Sequence, residues 1–215
     1  SNACGWDVLL TDVTDHWAQF AIAGPRAREL LAGLIDRDLG NEAFPFMAAA
    51  AVAVTGDEGM RIAGRLFRIS FSGELAYELA VPVRTADRVI RRLFTAGAPL
   101  GVVPYGLEAL SVMRIEKGHV AGNELNGQTT AFDLGLGGML STKKDYIGAV
   151  LARRPELLDP ARPRLVGLKP VNPRDPLGSG AHLLPAGSSS IAANSQGHVT
   201  SVAHCPVLDH WIGLG

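Results

Sequence analysis

Neither sign of charge predominates in this sequence: 20 lysines and arginines face 21 aspartates and glutamates, for a net charge of −1. That removes the electrostatic ground for a general nucleic-acid or membrane-surface partner. Long apolar runs are missing as well, since none reaches the roughly 18 residues that a membrane-spanning helix needs. Cysteine is nearly absent. Cys4 and Cys205 cannot make a disulfide framework, so a reducing cytoplasm is the expected setting. What the chain does have is apolar substance. At 47 % apolar and 19 % charged residues, it can bury a sizeable core, which excludes a disordered chain. A length of 215 residues fits one or two domains at about 150 residues each.

The ends are unusual. Ser1-Asn2-Ala3 reads as a remnant of tag removal and is set aside, with no signal peptide after it. Trp211-Ile-Gly-Leu-Gly215 reads as the middle of an apolar strand, where a natural terminus usually ends in solvated residues. Both ends are expected to be cut points in a longer chain.

Between them the hydrophobic periods alternate. Trp17 to Ala23 is an apolar run of strand length, and Gly24-Pro25 turns the chain into a helix. The helix carries Ala27, Leu30, Leu31, Leu34 and Ile35 on one face. Strands are expected at Ala49–Val54 and Arg61–Phe71, joined across Gly56-Asp57-Glu58-Gly59, and again at Tyr77–Val81. Thr85 is placed to cap a second helix with Ala86, Val89, Ile90, Leu93 and Phe94 facing inward and Gly97 as its stop. A third helix, Leu107 to Lys117, is apolar almost all round and expected to be buried, with Gly118 ending it. A short helix is expected from Tyr146 to Arg154, then a Pro-rich linker from Pro155 to Pro163. Short strands at Leu165–Leu168, Ile191–Ala193, His198–Ala203 and His210–Leu214 point to a second, all-β module. The expected fold class is α+β, a ferredoxin-like split βαβ layer followed by a truncated β-barrel-like module.

Two segments carry the chemistry. They are Arg68-Ile-Ser-Phe-Ser-Gly-Glu-Leu-Ala-Tyr-Glu-Leu79 and Tyr105-Gly-Leu-Glu-Ala-Leu-Ser-Val-Met-Arg-Ile-Glu-Lys-Gly-His-Val-Ala-Gly-Asn-Glu-Leu-Asn126. Together they resemble the folate-binding core of the glycine-cleavage T-protein, an aminomethyltransferase. Met113-Arg-Ile-Glu-Lys-Gly-His119, followed by Gly122-Asn-Glu124 and Asp133-Leu-Gly-Leu-Gly137, is similar to the carboxy-terminal, T-protein-like folate-binding region of sarcosine oxidase alpha subunits. The folate-dependent iron–sulfur maintenance proteins of the same superfamily carry Cys where this chain has His119, so their thiol chemistry is not expected. The resemblance covers about Val8 to Gly215. It implies a T-protein-like folate-binding domain at 4–155 and an incomplete β-barrel-like module at 163–215.

Glu78 is the first candidate site residue. In Tyr77-Glu78-Leu79-Ala80-Val81 the alternation puts Tyr77, Leu79 and Val81 on one face and Glu78 with Ala80 on the other. Such a Glu faces either water or a pocket, and residue type alone favours water. The family motif Gly-Tyr-Thr-Gly-Glu-x-Gly-Tyr/Phe-Glu places its last Glu, which binds the pterin ring of tetrahydrofolate, on Glu78. A carboxylate can accept in parallel from a ring N–H and an adjacent amino group, as it does from guanidinium. The family's aromatic Tyr falls on Phe71, which can pack on a pterin but lacks the hydroxyl, and a core-strand role is equally open. Arg114 corresponds to the second Arg of the family string Gly-Leu-x-Ala-Arg-Asp-x-Leu-Arg-Leu-Glu. Its alternative is a structural ion pair, with Glu108 or Glu116 as partner. The first Arg of that string, which assists folate binding in T-proteins, falls on Leu110. The binding of the folate tail is therefore expected to differ.

No metal-ligand spacing joins His198, His204, Cys205 and His210. Gly135-x-Gly137-Gly138 is not the dinucleotide fingerprint, because Leu140 stands where a Gly is required. No nucleophile elbow is present. The resemblance implies that FAD and NAD belong only to other parts of the parent enzyme. The family's catalytic Asp would lie ahead of Cys4, which leaves this stretch with pterin recognition and no catalytic residue. The implied role is to capture the one-carbon unit from sarcosine oxidation as 5,10-methylenetetrahydrofolate, with the other oxidase subunits as partners. A free-standing aminomethyltransferase and a ligand-free subunit-docking module are the alternatives.

Overall fold

The computed structural model describes residues 7–56, 59 and 61–215. Ser1-Asn2-Ala3, Cys4 and the Asp57-Glu58 part of the expected turn lie outside the described residues. The chain divides into two compact units, residues 1–104 and 105–215.

The first unit is an open four-stranded sheet with two helices. Its strands are β1 (Trp17–Ala23), β2 (Ala49–Thr55), β3 (Arg61–Phe67) and β4 (Ala76–Pro82), in the order β1-β4-β3-β2. All neighbours pair antiparallel. Helices α1 (Ala27–Ala32) and α2 (Ala86–Gly97) cover one face. The reason is the alternation in β4. Tyr77, Leu79 and Val81 are fully buried and pack with Val54, Leu66, Leu31, Val89 and Leu93. Phe44 stacks on Tyr77 with ring centroids 6.4 Å apart. The Tyr77 hydroxyl accepts from Arg28 Nε at 3.1 Å, so its polar end is satisfied.

Local details depart from the sequence pattern. Helix α1 stops at Ala32, and Leu34 and Ile35 leave it to cap the sheet edge. Thr55 donates its N–H to Leu34 O at 2.7 Å, and Ile35 bridges to Val54. Thr85 precedes α2 but does not cap it, because its hydroxyl donates back to Pro82 O at 2.7 Å. Gly97 serves packing more than termination. A Cβ there would come within 2.5 Å of Val102.

In the second unit α3 (Leu107–Lys117) lies on a three-stranded sheet of β5 (Gly167–Leu168), β6 (Ser201–Cys205) and β7 (His210–Leu214), in the order β5-β7-β6. Ile115 packs with Ala203, Leu214, Val112, Leu165 and Ile212. Gly118, at φ 72°, closes α3 in the left-handed conformation. Helix α3 is not buried all round. Only Ile115 is fully buried, and Leu107 is 83 % exposed. The expected helix at 146–154 and strand at 191–193 are turns and single 3-10 turns.

The expected fold class needs correction. Both sheets are open and uncurled, so the architecture is a mixed α/β fold with no barrel-like module among the described residues. The first sheet is antiparallel throughout, as expected, but β1 and β2, which α1 connects, lie at opposite edges and run in opposite directions, so they do not form the parallel pair of a split βαβ unit. The physical reason for the missing barrel is in residues 170–187. Pro170, Pro173, Pro176 and Pro185 remove ladder donors. The remaining strands of two, five and five residues are too few and too short to close on themselves.

A partly buried ion pair staples this loop-rich region. Arg162 holds Asp133 through two bonds of 3.0 and 2.6 Å, and Thr130 N–H adds a third at 2.8 Å. The Arg162 hydrogen bonds and these Thr130 contacts outweigh desolvation and lower the Asp133 carboxyl to about 2. A depressed folded-state value stabilises the fold above the unfolded value near 3.8 and is lost as pH falls toward 2. The contribution at neutral pH is on the order of 2 kcal/mol. Urea unfolding followed from pH 6 to pH 2.5 should show the parent losing about that much stability below about pH 4. Asp133→Asn should start lower and lose less across the same range. Equal acid slopes in the two proteins would contradict this assignment.

Candidate functional site

The face of the first sheet opposite α1 and α2 is built around Glu78. Direct partners in an antiparallel pair share a face. Glu78 sits between Ala21 of β1 and Phe67 of β3. One rung on, Ala80 sits between Gln19 and Arg65. The same face carries Ala23 and Ala76 beyond Glu78, and Ala49 and Ala51 on β2. The floor around the carboxylate is therefore made of alanines, low enough for a flat ring to approach.

Glu78 itself is half-buried. Gln19 Nε2 donates to its Oε2. Each carboxylate oxygen has more than one acceptor position, so Oε1 and part of Oε2 still have capacity for a ligand's donors. Phe67 flanks Glu78 directly and is also half-buried. At the far end of this face Trp17 pairs with Pro82, and the Arg65 guanidinium lies 4.2 Å from the Trp17 ring centroid.

Phe71 lies beyond the end of β3, in the irregular segment before β4, and is 37 % exposed. There Ser70 Oγ accepts from Gly73 N–H at 2.9 Å, and Gly73 adopts φ 92°. Glu74 is exposed in the same turn. Glu78 and Phe71 belong to the first unit and Arg114 to the second. The aromatic neighbour of Glu78 across the sheet is Phe67, which the motif did not indicate. Alternation along Arg61–Phe67 put Arg65 and Phe67 on one face. Only the pairing register shows that this is the face of Glu78.

Arg114 is engaged in its own unit. Its guanidinium lies 3.1 Å from Glu124 Oε2 and donates to Ser201 Oγ at 2.6 Å and to His119 O at 3.2 Å. The ion-pair partner is thus Glu124, not Glu108 or Glu116. The Glu124 side chain is completely buried. Burial alone would raise its pKa. Hydrogen bonds from Ser201 and Thr200 (2.5 and 2.6 Å) and from Ala121 N–H (2.9 Å), with the Arg114 charge, outweigh burial and hold it below the usual value. Among the described residues no group of three His, Cys, Asp or Glu side chains could hold a metal ion.

Residues 1–144 match the family model of the GCVT N-terminal domain. This corrects the expectation of a carboxy-terminal folate-binding region, because the matched model is that of an amino-terminal domain. The sarcosine oxidase subunit alpha of Rhizobium meliloti (strain 1021) is 47 % identical over 209 residues, covering 97 % of this chain and 21 % of that protein. An aminomethyltransferase of Streptomyces avermitilis is 31 % identical over 219 residues, covering 99 % of this chain and 55 % of that protein. The fold resembles the glycine cleavage system aminomethyltransferase T from Bartonella henselae, with a TM-score of 0.58 at 18 % identity over 94 % of this chain and 76 % of the other. The chain thus spans about a fifth of the oxidase relative and about half of the aminomethyltransferase.

Removing one partner of a buried pair leaves the other charge uncompensated, at a cost of about 3–5 kcal/mol. Arg114→Met should destabilise the second unit by about that amount in chemical denaturation. The double variant Arg114→Met with Glu124→Gln should recover part of the loss. A single variant as stable as the parent would show that the pair is not structural.

Proposed function

The chain belongs to the GCVT N-terminal domain family, and on that premise we propose that it supplies the pterin-recognition surface of a tetrahydrofolate site in a sarcosine oxidase alpha subunit. In the longer protein its role is to let the one-carbon unit of sarcosine leave as 5,10-methylenetetrahydrofolate, alongside the other oxidase subunits. The identity to sarcosine oxidase alpha subunits supports the choice of parent enzyme. Glu78 on its alanine floor supports the ligand class.

The residues fit the group. A pterin presents a ring N–H beside an exocyclic amino group, and a carboxylate accepts both in parallel. A half-buried carboxylate is less well hydrated, which favours a ligand that brings its own donors. Gln19 orients one oxygen, Phe67 offers a ring edge or face beside it, and Phe71 stands in the loop at the strand end. Arg114 lies in the other unit, where it holds Glu124, Ser201 and the His119 carbonyl in place. Tetrahydrofolate, when bound, supplies the amine nitrogens that take up the one-carbon unit. FAD and NAD are assigned to the remaining length of the parent protein.

A free-standing aminomethyltransferase is the second reading, favoured by the match to the Streptomyces avermitilis enzyme. Leu110 in place of the family's first Arg argues against it. No helix is long and apolar enough to cross a membrane among the described residues. A cytoplasmic setting is part of the same reading, with Cys205 buried as a free thiol.

The test is Glu78→Gln, titrated with tetrahydrofolate by calorimetry in this chain and in the full-length subunit. Gln keeps the volume but turns one acceptor into a donor. Losing a hydrogen bond to a charged group costs roughly 1.5–3 kcal/mol, so Kd should rise about ten- to a hundredfold. In the assembled oxidase, sarcosine oxidation should be unchanged while free formaldehyde rises at the expense of the folate product. Unaltered folate binding by the variant would remove Glu78 as the anchor.

A further inference from the structure

We propose that Arg65, stacked on Trp17, is the second anchor of the Glu78 site and binds the carboxylates of the ligand's aminobenzoyl-glutamate tail; this rests on the folate reading above. The argument begins with charge. Two exposed arginines, Arg61 and Arg65, lie on the Glu78 face of β3. Arg61 is neutralised by Asp36 at 2.6 Å. Arg65 makes no ion pair and no hydrogen bond among the described residues; its contact is the Trp17 ring. One of two equivalent cations on one strand is thus left without an anion.

Its geometry suits an anionic ligand. The guanidinium carbon lies 4.2 Å over the indole centroid. A guanidinium carries five N–H donors, so one contact with a ring leaves donors for a carboxylate to accept two parallel bonds. Stacking also restricts a long side chain in advance, so less freedom is lost when a ligand arrives.

Position completes the case. Trp17 lies four residues along β1 from Ala21, the partner of Glu78, which is about 13 Å at the rise of a strand. Arg65 lies two residues along β3 from Phe67. Between the two ends the face carries Gln19 and Ala80. The surface therefore reads, in order, aromatic ring with carboxylate, low floor, cation with indole. A ligand with a donor-bearing flat ring at one end and an anionic benzoyl tail at the other matches that order.

The experiment compares two ligands on three proteins. Tetrahydrofolate carries the tail and 6-methyltetrahydropterin lacks it. Parent, Arg65→Gln and Glu78→Gln would each be titrated by calorimetry, with thermal melts to verify folding; Arg65 is exposed, so its replacement leaves the core intact. Arg65→Gln should weaken tetrahydrofolate about five- to tenfold and leave 6-methyltetrahydropterin unchanged. Glu78→Gln should weaken both. Raising salt should weaken tetrahydrofolate binding to the parent more than to Arg65→Gln. Unchanged tetrahydrofolate affinity in Arg65→Gln, or an equal loss for both ligands, overturns the tail assignment while Glu78 stands. Failure of the parent to bind either ligand overturns the folate reading and the tail assignment together.

Discussion

The burial of Tyr77, Leu79 and Val81 under α1 and α2 is the constraint on which the first unit depends. These side chains are fully buried, and β4 is an inner strand paired on both sides. A one-residue slip would carry all three to the outer face and bring Glu78 into the core. Neither change is tolerable, so register is strongly specified. The aim of Glu78 follows from the burial of its neighbours, not from any interaction of its own. Apolar packing on one side of the sheet thereby positions a polar group on the other.

The second unit is specified differently. Its apolar cluster is small, with Ile115, Ala203 and Leu214 as its buried members. Long stretches are turns and single 3-10 turns. Two ion pairs, each with a buried carboxylate, make up part of the difference. Arg114–Glu124 ties α3 and the segment after it to the start of β6 through Ser201 and Thr200. Arg162–Asp133 ties the segment before β5 to the turn at Thr130. Such pairs give directional constraints that a small apolar core cannot, and each is completed by hydroxyl or backbone donors that satisfy the remaining lone pairs.

Much of this was legible where a short-range rule governs. The period-two alternation of Tyr77–Val81 separated Glu78 from the core residues without any knowledge of neighbouring strands. The i, i+3, i+4 spacing located α1 and α2, an apolar stretch located α3, and Gly118 marked the end of α3. Legibility failed where a distant segment intervened. Leu34 and Ile35 continue the helical spacing of α1, but the edge of β2 offered Thr55 and Val54 as partners, and the chain left the helix at Gly33. Leu107 fits an apolar helix pattern, yet nothing among the described residues buries it. The four apolar segments after Leu165 looked sufficient for a barrel, but intervening prolines and short lengths left a three-stranded open sheet.

The candidate site divides along the same line. Sequence alone puts the Glu78 carboxylate on the non-core face of a strand, because side-chain direction in a strand depends only on parity. It also places Phe71 and Arg114 in strings that resemble a folate-binding family. That Gln19, Phe67, Arg65 and Trp17 share that face with Glu78, and that Arg114 is engaged with Glu124, is visible only in the folded chain. The strand order β1-β4-β3-β2 inserts the last strand between the first and third. Which residues meet across it is set by hydrogen-bond register and core burial over separations of about sixty residues in the Gln19–Glu78 case, and no local pattern encodes a contact of that range.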